Sequence, residues 1–548
     1  MSGSYFHVFC PGKLPDFEVF MNTPVITAAV NMDLYRYEIQ ALIREFFPGY
    51  EVKVLLSSPD SAETKDSFIS VCYSEEGVTL TVRDIRGDAV PELPYFRNGG
   101  EKEKNADSSP IYIREAEAPA GGSFDVRSGD LRTALKHLLY DSLSEVTGKK
   151  LPWGELIGIR PTKLATREIE KGRGAEETIR YLGDNFRVSE EKARLSIEIA
   201  ERERKILSRL TPEKGYSLYI GVPFCPTRCL YCSFPSFAID AYRDRVGDYL
   251  AALEKEMKEC SGMMKEQGAV LDTIYVGGGT PTALNAAELD RLLDSAENYF
   301  CPGDSLLEFT VEAGRPDSIT KDKLEVLKSH HVSRISVNPQ TMNDRTLSLI
   351  GRRHTVQQVI DAYYMARGAG MDNINMDIIL GLPGETDEDV QRTIGEIGRL
   401  GPDDLTVHSL AVKRGSRMQE FIRENGYDTL HTNNTEKTMR IAAEGAAKMG
   451  LSPYYLYRQK NMSGNFENTG YARPGKYGIY NILIIEEVQS ILALGPGSVS
   501  KRVVREENDN VTIRRCDDAK DIDSYIRGID DMIGRKKRLF AADEREGE

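Results

Sequence analysis

The chain has 548 residues, a net charge of −14, and 28% charged beside 40% hydrophobic residues. At about 150 residues per domain that length is two to four units, and the composition is globular rather than disordered. The acidic balance argues against a general nucleic-acid or anionic-membrane binder. No apolar run approaches the ~20 residues of a membrane span, and Met1-Ser-Gly-Ser-Tyr-Phe lacks the basic-then-apolar layout of a secretory signal. The expectation is a cytoplasmic protein with no nucleic-acid partner and no membrane span.

Residues 1–95 read as a small α+β domain. Val25–Val30, Glu51–Leu56, Phe68–Tyr73 and Val78–Val82 have strand character, and Leu34 to Phe46 carries apolar residues at helical spacing. Residues 96–130 are polar, Gly-rich and aperiodic, which predicts a mobile loop or linker. Residues 131–214 read as a helical connector, with Leu131, Leu135, Leu138 and Leu139 on one face of a first helix and a charged helix over Ser189 to Leu210.

From residue 215 to 415 strands and helices alternate. Strands are expected at Ser217–Val222, Thr273–Val276, Leu306–Val311, Arg334–Val337, Asn373–Ile379 and Leu405–His408, with helices near 241–266, 286–299, 320–329, 355–369 and 386–399 between them. Six β-then-α units in succession predict parallel strands with right-handed crossovers, closing as an incomplete (β/α)6 barrel with its ligand groups at the C-terminal strand ends. Residues 416–548 read as a mixed α/β extension on the substrate side, with a helix at 433–449 that stops at Gly450.

Chemistry concentrates after the first of these strands, in Tyr219-Ile-Gly-Val-Pro-Phe-Cys225-Pro-Thr-Arg-Cys229-Leu-Tyr-Cys232-Ser-Phe-Pro235. Three thiolates on one loop suit three irons of a 4Fe–4S cubane and leave the fourth iron open. A structural zinc wants four closed ligands, yet position 234 is Phe and no His lies within twenty residues. The other cysteines, Cys10, Cys72, Cys260, Cys301 and Cys516, are scattered and read as buried small hydrophobes or neutral thiols.

Further motifs follow: Gly277-Gly278-Gly279-Thr280 after the second strand, Glu312 at the end of the third, Asn338-Pro-Gln340 at the end of the fourth, Arg352 beyond Gln340, and Asp377 at the end of the fifth. The glycines permit close backbone approach, a carboxylate suits ribose hydroxyls, and Arg suits a ligand carboxylate.

The series resembles the oxygen-independent coproporphyrinogen III oxidase family of radical S-adenosylmethionine (SAM) proteins over roughly residues 215–500. Within it, Leu151-Pro-Trp-Gly-Glu-Leu-Ile-Gly-Ile-Arg160, Gly470-Tyr-Ala-Arg-Pro-Gly-Lys476 and Leu494-Gly-Pro-Gly-Ser-Val-Ser500 resemble the coproporphyrinogen dehydrogenase HemZ subgroup. The resemblance implies a 4Fe–4S cluster on Cys225, Cys229 and Cys232, and SAM contacts at Tyr219, Tyr231, Gly278, Gly279, Thr280, Glu312, Gln340, Arg352 and Asp377. Tyr219, Glu312 and Asp377 are the expected catalytic residues. It further implies oxidative decarboxylation of coproporphyrinogen III propionates to vinyls in haem biosynthesis, with electrons from a low-potential donor such as flavodoxin or ferredoxin.

Three departures stand beside it. Tyr219 is followed by Ile220-Gly221 where the best-characterised oxidase branch has Tyr-x-His, and Phe234 stands where that branch has a further Cys. A related haem-chaperone branch has His-Asn and Tyr-Trp where this chain has Tyr480-Asn481-Ile-Leu-Ile-Ile485. The alternatives are a haem or porphyrin carrier and a radical SAM enzyme of other tetrapyrrole chemistry. Substrate carboxylates are expected at Lys413, Arg414 and Arg417, and at Arg458, Lys460 and Arg473, with Arg414 and Arg473 foremost.

Overall fold

In the computed structural model the described residues are 25–47, 50–58, 61, 67–74, 77–83, 111–117, 129–157, 160–411, 416–418, 420–421, 434–459, 466–505 and 511–541. Cys10, Lys413, Arg414 and Lys460 lie outside them.

The first sheet has the order β2-β1-β3-β4-β5, from β1 Val25–Val30, β2 Glu51–Leu56, β3 Ile69–Tyr73, β4 Gly77–Arg83 and β5 Ile111–Glu117. The helix Arg36–Phe46 connects the parallel pair β1 and β2 and buries Ile39, Leu42, Ile43 and Phe46. Two expectations need correction. Strand β5 falls inside the expected linker 96–130 and pairs antiparallel with β4 along its length; its Ile-Tyr-Ile-Arg alternation is short and framed by polar, Gly-rich chain. The helix Gly129–Thr147 also belongs to this unit rather than to a connector, because Leu131, Leu135, Leu138, Leu139 and Leu143 share one core with the sheet.

The second sheet is built around six parallel strands in chain order: β6 Gly215–Val222, β9 Val270–Gly278, β10 Glu308–Val311, β11 Arg334–Ser336, β12 Ile374–Leu380 and β13 Asp404–Ser409. Two-residue strands β7 Phe224–Cys225 and β8 Phe237–Ala238 pair with each other around the cysteine loop. Helices Val246–Glu266, Ala286–Phe300, Lys321–Ser329, Val356–Gly368 and Asp387–Leu400 alternate with the strands. Their starts are written locally: Asn285, Thr355 and Thr386 each accept from a backbone N–H three residues on, within a capping box. This is the incomplete (β/α)6 arrangement.

The C-terminal extension adds to both flanks of that sheet. β14 Ser452–Tyr457 and β15 Asn468–Ala472 run antiparallel beyond β13, while β16 Ser490–Leu494 lies parallel to β6 and is followed by the hairpin β17 Val499–Arg505 and β18 Val511–Asp517. The result is eleven strands, β14-β15-β13-β12-β11-β10-β9-β6-β16-β17-β18. Among the described residues no helix is long and apolar enough to cross a membrane.

The helix Glu190–Leu207 packs against β14 and carries the helices Pro161–Glu170 and Ala175–Phe186 on it, and Trp153, Leu182, Ile199 and Leu456 share one cluster. Here Arg458 has a structural place: it donates to the Leu156 carbonyl and its guanidinium lies 5.5 Å from the Trp153 ring centroid. Trp153 and Lys192 in turn bond Glu467, at 2.7 Å and 2.6 Å. The expectation that Arg458 meets substrate therefore does not hold.

Candidate active site

One cavity of about 930 Å³ opens inside the curve of the second sheet. It is lined by Tyr219 of β6, Tyr275 of β9, Arg334 of β11, Asp377 of β12, Thr406 of β13, Tyr455 of β14 and Ala493 of β16, so the sheet wraps around it. Cys225, Cys229, Cys232, Tyr219, Tyr231, Gly278, Gly279, Thr280, Glu312, Gln340, Arg352 and Asp377 all face this space.

The cysteine loop starts from the register Val222↔Gly278 between β6 and β9. Gly278 has φ +107°, and a Cβ there would come within 2.9 Å of the Val222 carbonyl oxygen. A Cβ on Gly279 would meet the Phe224 oxygen at 2.4 Å and the Cys225 sulfur at 3.0 Å. Only glycines let the two loops touch. The cysteines differ in their partners. Cys225 Sγ lies 3.5 Å from Thr280 Oγ1, whereas Arg315 donates to Cys229 Sγ at 3.4 Å. Burial pushes the Cys225 thiol up to about 11 and raises Cys232 as well, so binding a metal there releases protons.

The donor set suits a cubane: Cys225, Cys229 and Cys232 of one loop line the cavity together, can take three irons and leave the fourth open toward the cavity.

Around the rest of the cavity stand charged groups with open valences. Arg352 is buried, donates to the Asn338 carbonyl at 2.5 Å and to Tyr231 Oη at 3.2 Å, and leaves Nε without a partner. Glu312 accepts from Tyr275 Oη at 2.5 Å. Burial pushes it up to about 7 against the pull of that hydrogen bond and of Arg334, with Asp377 adding to the rise. Burial alone would raise Asp377 too, but His408, Asn375 and Arg334 outweigh it and leave its carboxyl below the usual range. Asn375 donates to it at 2.7 Å. Gln340 holds φ +68°, a costly conformation for a side-chain-bearing residue, fixed by backbone bonds to Asp377 and Ile379 on β12. Tyr219, Tyr275 and Tyr480 stack as a flat wall, with Tyr275 and Tyr480 centroids 4.4 Å apart.

Sequence reasoning missed four contributors. Arg334 lines the cavity and pairs with buried Asp404 at 2.7 Å; read by itself it is only the first residue of a strand. Arg315 reaches across 86 residues to the cysteine loop. Lys501 and Arg515 of the β17–β18 hairpin line the cavity and share Glu487, each at 2.8 Å. Arg473, expected there, is elsewhere. Because β15 runs antiparallel with Ala472 opposite Asp404, Arg473 sits at the N-terminal end of β13, 3.9 Å from Asp403. Arg417 is exposed and outside the cavity lining.

Residues 219–397 match the radical SAM superfamily. The chain is 41% identical over 396 residues to the oxygen-independent coproporphyrinogen-III oxidase-like protein HemZ of Bacillus subtilis, covering 72% of this chain and 78% of that protein. It is 38% identical over 247 residues to the heme chaperone HemW of Bacillus subtilis, covering 45% of this chain and 63% of that protein. Among solved structures it is similar to coproporphyrinogen III oxidase (HemN) of Escherichia coli, with 20% identity, a TM-score of 0.44, and 61% of this chain and 73% of that chain covered. The cysteine loop, the strand-end motifs and the extended match with HemZ converge: the chain belongs to the radical SAM superfamily, in the branch of oxygen-independent coproporphyrinogen-III oxidase-like proteins, and its cofactors are a 4Fe–4S cluster and S-adenosylmethionine.

Proposed function

We propose that this protein is a cytoplasmic oxidoreductase that converts propionates of a porphyrinogen, coproporphyrinogen III, to vinyl groups. The observation that carries the reading is the size and lining of one cavity. At about 930 Å³ it lies near the top of the ~300–1,000 Å³ range for ligand sites, which leaves room for a second molecule beside SAM. Cys225, Cys229 and Cys232 would hold the cluster. Glu312 and Arg352 would take the ammonium and carboxylate of SAM, Asp377 its ribose, and Gly278 and Gly279 would present backbone at close range.

When bound, the cluster and SAM supply hydrogen-atom abstraction from an unactivated carbon. Applied to a propionate β-carbon, with carbon dioxide and one electron leaving to an external acceptor, that chemistry gives a vinyl group. The chain's own part is placement. The Tyr219, Tyr275 and Tyr480 rings line the cavity and would give a macrocycle aromatic contact. Lys501 and Arg515 offer carboxylate partners at the far side of the cavity, in place of Arg458 and Arg473. A low-potential donor such as flavodoxin or ferredoxin would deliver the reducing electron.

The test is anaerobic reconstitution with coproporphyrinogen III, SAM and reductant, followed by mass spectrometry. Protoporphyrinogen IX together with methionine and 5′-deoxyadenosine is the expected outcome. Stoichiometric haem binding without SAM turnover would instead make the protein a carrier, and a different tetrapyrrole product would move the reaction to another chemistry.

A further inference from the structure

We propose that Arg315 and Asp317 act as an opposed charge pair that sets the reduction potential of the cluster through the Cys229 sulfur. Arg315 is 3% exposed and directs Nη1 at Cys229 Sγ, 3.4 Å away. The same guanidinium holds the cysteine loop through the Thr227 carbonyl at 3.2 Å and the Thr227 hydroxyl at 3.0 Å. Its other face is bidentate on Asp317, with both contacts at 3.0 Å. His354, 3% exposed, closes the line behind that carboxylate, its Nδ1 3.6 Å from Asp317.

Reduction adds an electron that the iron–sulfur core shares with its thiolates, so hydrogen bonds and charge at a ligating sulfur move the potential. A buried guanidinium on that sulfur stabilises the reduced state and raises the potential. Asp317 lies on the far side of the same guanidinium and subtracts from the effect. A cluster that must pass an electron to SAM has to stay a strong reductant, and the carboxylate keeps the nearby positive charge from making it a weak one. Arg315 is thus a positioning residue, acting through Cys229.

The inference rests on Cys229 being a cluster ligand. That premise is tested on its own by the iron content of the Cys229→Ala protein, so the two can fail separately. The decisive experiment is a redox titration of the reconstituted full-length protein without SAM, followed by electron paramagnetic resonance. Arg315→Gln should shift the midpoint to a more negative value and Asp317→Asn to a more positive one. Arg315→Lys, which keeps the charge, should fall between Arg315→Gln and the wild type. If Arg315→Gln does not load with iron, Arg315→Lys and Asp317→Asn carry the test with the same opposed signs. An unchanged potential in loaded Arg315→Gln, shifts of the same sign in the Arg315 and Asp317 variants, or loss of iron from both Arg315 variants would overturn the proposal. The last outcome would make Arg315 a strut for the loop and nothing more.

Discussion

Two groups of buried charges sit on opposite faces of the second sheet, and they are finished differently. Behind the sheet, Lys536 is fully buried and bonds Glu256 at 2.5 Å and both oxygens of Asp518 at 2.5 Å. Tyr525 and the Gly495 N–H complete Glu256, and Ser498 completes Asp518, so every polar atom of this group has a partner. Inside the sheet, Arg352 and Arg334 line the cavity and the Nε of each has none. A closed network fixes structure, here the helix Ile529–Phe540 against the helix Val246–Glu266, whereas open valences in a cavity mark where a ligand completes the set.

Four measurements bear on that contrast. The largest effect is expected from Cys229→Ala, which should lose most of the iron and all SAM cleavage while the apoprotein melts as the wild type does. Retention of nearly four irons per chain would sink the cluster assignment. The mirror case is Lys536→Met. It strands two carboxylates and should cost about 3–5 kcal/mol of stability in denaturant unfolding, with the SAM affinity of the surviving folded fraction unaltered. A shift below 1 kcal/mol would show that the network is not what holds the C-terminal helix.

Next come Glu312→Gln and Asp377→Asn, each expected to keep the cluster and weaken SAM binding by about tenfold to a hundredfold, roughly 1.5–3 kcal/mol. Glu312 adds a pH signature. With its carboxyl raised to about 7, the ligand-free protein gains stability from this group at low pH and loses it as pH rises through that value. The SAM ammonium needs the ionised form, so affinity should climb with pH through about 7 in the wild type and stay flat in Glu312→Gln. Calorimetric titration across that range reads both. The smallest effect is for Lys501→Ala and Arg515→Ala, with a several-fold rise in porphyrinogen KM and unchanged substrate-free SAM cleavage. Arg473→Ala should change neither.

What could be read from the sequence was whatever is encoded locally. The six βα units are marked by apolar strands and by caps such as Asn285, Thr355 and Thr386, and the strands align within about three residues of expectation. The cysteine loop, Glu312 and Gln340 came together because each follows its own strand and parallel strands put those ends on one side, whereas Asp377 lies inside β12 rather than at its end and Arg352 reaches the cavity from beyond the helix Asp344–Leu349. What escaped was non-local. Strand β16 has nothing in Ser-Ile-Leu-Ala-Leu to say that it joins β6, 274 residues earlier by the register Ser490↔Tyr216 and its neighbours. Arg473 follows a Gly-Tyr-Ala motif that resembles the family's, but the antiparallel direction of β15 carries it to the wrong end of the sheet. Arg315 looks like any arginine before a proline until Cys229 is placed beside it.

The pairing of β16 with β6 has a consequence for how the protein is made. Until Ser490–Leu494 has left the ribosome, β6, which leads directly into the cysteine loop, has an unpaired edge along Tyr216–Ile220. Such an edge is a template for association with other chains, and closing so long a loop is slow. Cluster insertion therefore belongs after synthesis of the C-terminal extension rather than during synthesis of the (β/α)6 unit. Chains released shortly before residue 490 should accumulate as aggregates without iron, while those extending through the helix Ile529–Phe540 should accept it.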